Sequence, residues 1–336
     1  MHSAGRRSLA LLAVLAAASP SAAMAAPSPP PPSPALSPVL SPVLSPHPPS
    51  LPATVRMRQK LSGKHVLITG PTSGLGLSLL SALLPLSPLS VTLVSSSAGK
   101  LEELRSSLAR SHPGLPVIAR PCDLADPGAV AELRREVEAG PKIDLLLLNA
   151  GLSSRSSFLD TAPAVDDRLM QVNFLSQASL LRAVVASSML PQRAGLAVWI
   201  SSVQGYLPLP LRSSYVASKH AVQGYTASVR AELADHNVSL ATCSPGYVRT
   251  GLSLNAARGD GERHGVMDET TEGAPEPGRV AHEILDRAAG GEVDFTVVGG
   301  RSAAAARWLS FCVPRVFREI MRRRAVKMME AGKKDE

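Results

Sequence analysis

Aromatic side chains make up only 3% of the 336 residues, cysteine occurs three times, and no aspartate or glutamate precedes Glu102. Each scarcity excludes something. A core so poor in rings has to be filled by Leu, Val, Ala and Ile, as buried parallel strands and their covering helices usually are. Cys122, Cys243 and Cys312 are too few and too scattered for a disulfide framework or a metal site. Cys122 and Cys243 end apolar strands and read as core. There is no zinc-finger spacing and no basic stripe interleaved with aromatics, so nucleic acid is not an expected partner. The formal charge of +8 still points to something anionic, such as a nucleotide phosphate or a lipid headgroup.

The acid-free beginning divides in two. Arg6 and Arg7 precede the apolar run Leu9 to Ala18, and Ala23-Met24-Ala25 offers a small-residue cleavage pattern. Residues 1–26 therefore read as a signal peptide, a signal anchor or an organellar transit segment. The run is too short and too rich in alanine for a spanning helix. Residues 27–61 are Pro/Ser-rich, with Ser-Pro-x-Leu units up to Pro52, and are expected to form an extended linker. Residues 62–300 have the length and periodicity of one α/β domain. In residues 301–336, Trp308, Phe311, Val316, Phe317 and Ile320 alternate with Arg315, Arg318 and Arg322 to Arg324. That is a basic amphipathic helix, suited to an anionic membrane surface or to packing on its own domain. Asn237-Val-Ser239 is a glycosylation sequon and Lys333-Lys334-Asp335-Glu336 resembles a dilysine retrieval signal. The two point to opposite sides of a membrane. The endoplasmic reticulum or a related membrane is the expected location, with a plastid or other organelle as the alternative.

Within the domain, His65-Val-Leu-Ile-Thr69 is a short strand followed by Gly70-Pro-Thr-Ser73-Gly74-Leu75-Gly76 and then a helix up to Pro85. A strand, a glycine turn and a helix N-terminus make an anion cradle, because free amides and the helix dipole face a phosphate. The next strand, Ser90 to Ser95, ends in Ser95-Ser96-Ser97. No carboxylate stands there to bind a ribose diol or repel an extra phosphate, which favours NADP(H) over NAD(H). Asp123, after a third strand, has two readings: a partner for the adenine amine, or a cap for the helix opening at Pro127. Ile143 to Leu148 is a buried strand that delivers Asn149-Ala150-Gly151 to the carboxyl edge of the sheet, where ligands bind in such folds. Asp166 to Leu190 is expected to be one long helix, with Asn173 polar amid its inner face. Gly251 to Pro277 has the length and polarity of a substrate lid.

Leu196 to Ile200 leads straight into Ser201-Ser202, and thirteen residues beyond Ser202 stands Tyr215-x-x-x-Lys219. On a helix the two side chains fall one turn apart on one face. An ammonium about 4 Å from the phenol contributes about 4 kcal/mol, or roughly three pKa units, before desolvation is subtracted. The phenol is then expected to exchange a proton near neutral pH, with Ser202 orienting a substrate oxygen.

Together, Thr69-Gly70-x-x-x-Gly74-x-Gly76, Asn149-Ala150-Gly151, Asn173, Ser202, Tyr215-x-x-x-Lys219 and Pro245-Gly246 resemble the short-chain dehydrogenase/reductase family in order and spacing, over residues 62 to 300. The resemblance implies a single-domain, three-layer, doubly wound Rossmann fold with a parallel sheet of about seven strands. It implies hydride exchange between NADP(H) and a carbonyl or alcohol carbon, with Tyr215 as acid or base. Lys219 would hold the nicotinamide ribose and depress the tyrosine pKa, Ser202 would orient the carbonyl, and Asn173 would anchor a proton-relaying water. Gly70, Ser73, Gly74, Leu75, Gly76, Ser96, Asp123, Leu124, Asn149, Gly151, Gly246, Val248 and Thr250 would join Tyr215 and Lys219 around the cofactor. Close relatives within the family often carry an arginine where this chain has Ser96, which weakens the NADP(H) expectation and keeps NAD(H) open. Leu207, Leu209, Leu211 and Tyr247 would flank the site with few charges, which suits a bulky, lipid-like substrate. The family commonly pairs through its long helices, so a homodimer is expected by the same likeness. The rival is a nucleotide-binding regulator on the same fold.

Overall fold

The computed structural model describes residues 52–332. The expected leader, most of the proline-rich stretch and the terminal Lys333 to Glu336 lie outside them. Seven strands, β1 (His65–Thr69), β2 (Ser90–Ser95), β3 (Val117–Pro121), β4 (Leu145–Leu148), β5 (Gly195–Ile200), β6 (Val238–Pro245) and β7 (Asp294–Val297), form one sheet in the order β3-β2-β1-β4-β5-β6-β7. Every pairing in it is parallel. The order reverses between β1 and β4, where a crevice opens at the carboxyl ends of the strands.

Strand alternation explains the layers. Val66, Ile68, Leu145, Leu147, Val198 and Ile200 pack on one face against α2 (Gly74–Leu83), α3 (Ala98–Ser111) and α7 (Pro277–Ala289). Their neighbours Leu67, Leu146, Leu148, Ala197 and Trp199 pack on the other face. There they meet α4 (Pro127–Ala139), α5 (residues 163–192) and α6 (Ser213–Glu232). A period of two on strands covered from both sides yields near-continuous apolar runs, and Leu145 to Leu148 is the plainest case. Few rings are needed; Phe174, Trp199 and Tyr225 form one aromatic group, with the Phe174 and Trp199 centroids 6.2 Å apart.

Two boundaries differ from expectation. Ala53–Leu61, expected to be linker, is a helix (α1), and its Met57 and Leu61 are buried in the core beside α7. Arg56 donates to both oxygens of Asp286 on α7, at 2.8 and 2.6 Å. Leaving the proline-rich stretch restores the backbone donors that a helix needs, and two apolar residues a turn apart find a face to cover. The tail is two helices, α8 (Gly300–Cys312) and α9 (Pro314–Gly332), broken at Val313 because a residue before proline avoids the helical region. Trp308 and Phe311 are exposed, Phe317 is buried, and Arg307 lies 5.0 Å over the Tyr206 ring. No helix among the described residues is long and apolar enough to cross a membrane.

Candidate active site

The turn after β1 is shaped by its glycines. Gly70 and Gly74 have φ of +68° and +53°, a region costly for other residues. Gly76 has no room for a side chain, since a β-carbon there would lie 2.0 Å from the Gly70 carbonyl oxygen. Ser73 stands at the start of α2 without capping it through its side chain, so the first-turn amides are left to other acceptors. The Asn149 side chain fastens the neighbouring strand end by donating to the Thr69 and Gly70 carbonyls at 3.1 and 3.2 Å. Thr69 Oγ1 accepts from the Asn149 and Ala150 amides, both at 3.0 Å.

These groups open onto a cavity of about 570 Å³. Gly70, Ser73, Gly74, Leu75 and Gly76 line it from the turn, and Ser96, Asp123 and Leu124 from the ends of β2 and β3. Asn149 and Gly151 after β4, Ser202 after β5, Tyr215 and Lys219 on α6, and Gly246, Val248 and Thr250 after β6 complete the same wall. Asn173 stands behind it, wholly buried in a π-turn, Gln171–Leu175, inside α5. Its Oδ1 accepts from the Leu152 amide at 2.7 Å, and its Nδ2 donates to the Leu152 carbonyl and to Ser218 Oγ, both at 2.9 Å. Gly151, which lines the cavity, lies against it: a β-carbon there would lie 3.2 Å from Asn173 Oδ1 and 3.6 Å from Lys219 Nζ. The two readings of Asp123 also separate. Asp123 Oδ1 accepts from the Ala125 amide, while the cap of α4 is Asp126, whose Oδ1 accepts from the Gly128 amide at 2.7 Å.

The expected acidification of Tyr215 by its lysine is not what the geometry gives. Lys219 Nζ donates to the Ile200 carbonyl at 3.0 Å and lies 5.8 Å from the centroid of the Tyr215 ring. Burial pushes the Tyr215 phenol up, while the Ser202 hydroxyl and the Arg212 and Arg155 guanidiniums pull it down. The same burial lowers Lys219 to about 8. Desolvation overrides the pair attraction because both groups sit inside the wall, at 5% and 4% exposure. A stability effect follows. Between about pH 8 and 10.5 the unfolded chain holds the lysine proton and the folded one releases it, so the Lys219 contribution to stability rises with pH across that window. Melting curves in the absence of nucleotide are expected to show wild type gaining on Lys219→Met as pH is raised from 7.5 to 9.5. A constant difference would show that the ammonium is not desolvated.

The cavity also holds charge that was not expected. Arg155 and Arg212 line it with side chains 10% and 5% exposed, and both donate to Asp268, which lies within the 251–277 segment. Leu209 and Tyr247 line it as expected, whereas Leu207 and Leu211 do not. No local sequence pattern marks this group, because its members are brought together from positions 56 to 113 residues apart.

A glycine cradle at the switch point of an all-parallel, doubly wound sheet, sharing one cavity with a tyrosine, a lysine and a serine, defines a nucleotide-binding α/β protein equipped for proton exchange. Comparison with known proteins specifies the class. The short chain dehydrogenase family model matches residues 64–260. The chain is 39% identical over 279 residues to dehydrogenase/reductase SDR family member 7B of Bos taurus, covering 81% of this chain and 85% of that one. It is 37% identical to the dehydrogenase/reductase SDR family protein 7-like of Drosophila melanogaster, covering 83% and 86%. Among solved structures, a short-chain dehydrogenase from Sphingobium yanoikuyae in complex with NADPH superposes with a TM-score of 0.64 at 23% identity, over 75% of this chain and 93% of that one. One from Burkholderia phymatum in complex with NAD also gives 0.64 at 23% identity, over 76% and 96%. At that identity the structures speak for the fold. The chain belongs to the short-chain dehydrogenase/reductase family, and it is an NAD(P)-dependent oxidoreductase.

Proposed function

We propose that the protein interconverts a bulky, lipid-like ketone or aldehyde and its alcohol with NADP(H), using Tyr215 as the acid and base. The observation that carries this reading is the placing of Ser202, Tyr215 and Lys219 in one cavity with the Gly70 to Gly76 turn. The residues fit a dinucleotide: glycines where a β-carbon would block the approach, uncapped amides at the start of α2, and Asn149 holding the turn in shape. Gly70 to Gly76, Ser96, Asp123, Leu124, Asn149, Gly151, Gly246, Val248 and Thr250 would hold it. When bound, its nicotinamide supplies or accepts the hydride.

The rest is the work of the chain. Ser202 takes a hydrogen bond from the Gln204 amide at 3.1 Å, which fixes its oxygen and leaves its proton for a substrate oxygen. Tyr215, kept protonated by burial, gives its proton to that oxygen in reduction and receives it back in oxidation. Lys219, softened to about 8, is the next proton carrier. Both amide hydrogens of Asn173 are spent, so a water linking it to Lys219 would rest on one of its oxygens. Leu209, Leu252 and Tyr247 offer apolar surface for a large substrate.

The preference for NADP(H) rests on Lys100. It lines the cavity with Ser96 and Ser97 and lies in the first turn of α3, which contains no acidic residue. Helical side chains lean toward the N-terminus, so its ammonium would be able to reach back toward the serines. A cation at that helix end opposes the dipole, and a phosphate between them reverses the sign. Calorimetric titration of Lys100→Ala is expected to weaken NADP+ roughly tenfold or more with NAD+ unchanged; equal loss of both would remove Lys100 from this role.

The exposed Trp308 and Phe311, with Ile320 on α9 among arginines, support association with an anionic membrane surface. Flotation with phosphatidylserine vesicles should recover the full chain and not Trp308→Ala/Phe311→Ala; equal recovery of the two would refute the assignment. Function itself is tested by following NADPH fluorescence with the purified chain and a panel of lipid carbonyls. Consumption is expected, and binding without consumption of any of them would favour a nucleotide-binding regulator.

A further inference from the structure

Two guanidiniums in the wall beside Tyr215 need an explanation. Arg155 comes from the loop after β4, and Arg212 immediately precedes α6, three residues before Tyr215. Both are nine-tenths or more buried, each has an Nε with no partner, and each charge is unfavourable to the other. A single carboxylate oxygen joins them. Asp268 Oδ2 accepts from Arg155 Nη2 at 2.5 Å and from Arg212 Nη2 at 3.1 Å.

Asp268 belongs to the segment between β6 and α7, and its attachments describe a strap. At one end, Ala257 pairs with the β4 loop through the Ser153 carbonyl and the Arg155 amide, both at 2.8 Å. At the other, the Arg249 amide donates to the Pro275 carbonyl at 3.0 Å. Between them the Asp268 carbonyl accepts from the Thr271 and Glu272 amides, making the single turn that sets Thr271, 4% exposed, into the cavity wall. The Asp268 side chain is thus the ionic tie that draws the middle of the strap onto the floor carrying Tyr215.

We propose that Asp268 is a positioning residue, which clamps residues 251–276 across the cavity through Arg155 and Arg212 and so completes the surroundings of Tyr215 only when the strap is closed. The proposal rests on the proton-exchanging role given to Tyr215 above. With the clamp made, the two guanidiniums that act on the phenol are both tied to a carboxylate; with it broken, they are left without that partner. The other groups around it are the Ser202 hydroxyl, the Tyr247 phenol and Lys219, while His264 stands near the clamp. Removing the carboxylate charge favours the phenolate, the form that has no proton to give in reduction. Closure and readiness for proton transfer are then one event.

The experiment uses the full chain as wild type, Asp268→Asn and Asp268→Glu. Asparagine keeps the shape and loses the charge, and glutamate keeps the charge. With NADP+ present, Asp268→Asn is expected to be cleaved within 251–276 about tenfold faster by a dilute protease, as loss of about 1.4 kcal/mol in a closing equilibrium requires, while Asp268→Glu stays within about threefold of wild type. In carbonyl reduction, Asp268→Asn should move the alkaline limb of kcat/KM to lower pH and raise KM more than it lowers kcat. An unchanged cleavage rate, or an unmoved limb at unchanged melting temperature, would overturn the clamp. Equal loss in both variants with lowered melting temperatures would overturn it too, by showing a packing role only. Should wild type turn over no carbonyl at all, the catalytic reading fails, and the proteolysis arm still decides whether Asp268 ties the strap.

Discussion

Tyr215→Phe is expected to lower the rate of carbonyl reduction by about 10²- to 10⁴-fold, the usual worth of a positioned general acid, while nucleotide affinity changes by less than about twofold. The substitution is a narrow probe. The ring packs with Val165 and Leu169 and is 5% exposed, so phenylalanine retains the buried surface and removes one hydroxyl. Only the proton donor goes. Single-turnover NADPH fluorescence separates the two quantities, since binding appears in the initial quench and chemistry in the decay. The pH profile adds a second reading. Because burial raises the phenol and the reduction needs it protonated, wild type should hold its activity through neutrality and lose it only on the alkaline side. A variant that keeps a tenth or more of the wild-type rate would mean that another group delivers the proton. Lys219 would be the first candidate.

Gly76→Ala is expected to destabilise the protein by about 3 kcal/mol, the upper end of overpacking costs, and to abolish nucleotide binding. Alanine in a helix ordinarily gains about 1 kcal/mol over glycine, so propensity alone predicts the opposite sign. Contact decides the matter. The new β-carbon would lie 2.0 Å from the Gly70 carbonyl oxygen and 2.5 Å from Asn149 Nδ2, so the turn or α2 has to move. Either movement pulls apart the Asn149 hydrogen bonds that shape the cradle. Gly224→Ala is the control: that glycine is exposed on α6 with nothing within 4 Å of a built β-carbon, and it should show the ordinary gain. Comparable melting temperatures and NADP+ affinities for Gly76→Ala and wild type would refute the packing account.

The parts of the fold legible in the sequence were those governed by short-range rules. His65 to Thr69 and Leu145 to Leu148 announce buried strands by β-branching and unbroken apolarity, and Gly70 to Gly76 announces its turn because only glycine tolerates the backbone there. Asn149 and Ser202 could be placed at one edge because each closely follows the carboxyl end of a parallel strand, and Tyr215 joins them from the first turn of the next helix, α6. What escaped depends on distant partners. Met57 and Leu61 look like the end of a linker until α7 is set beside them. Arg155, Arg212 and Asp268 look like surface charges until the chain folds back. The rise of the Tyr215 pKa escapes for a related reason: pair spacing on a helix is written locally, whereas burial is contributed by the whole domain. The π-turn at Asn173 has no signature in residue type, since Val172, Phe174 and Leu175 suit an ordinary helix equally well.

The docking of α1 bears on how the chain can be trimmed. A truncated chain that begins at residue 62 would lose Met57, Leu61 and the Arg56 to Asp286 pair and bare the flank of α7, whereas one that begins at residue 52 would keep them. The folded body thus begins at α1, and a soundly trimmed domain has to include it.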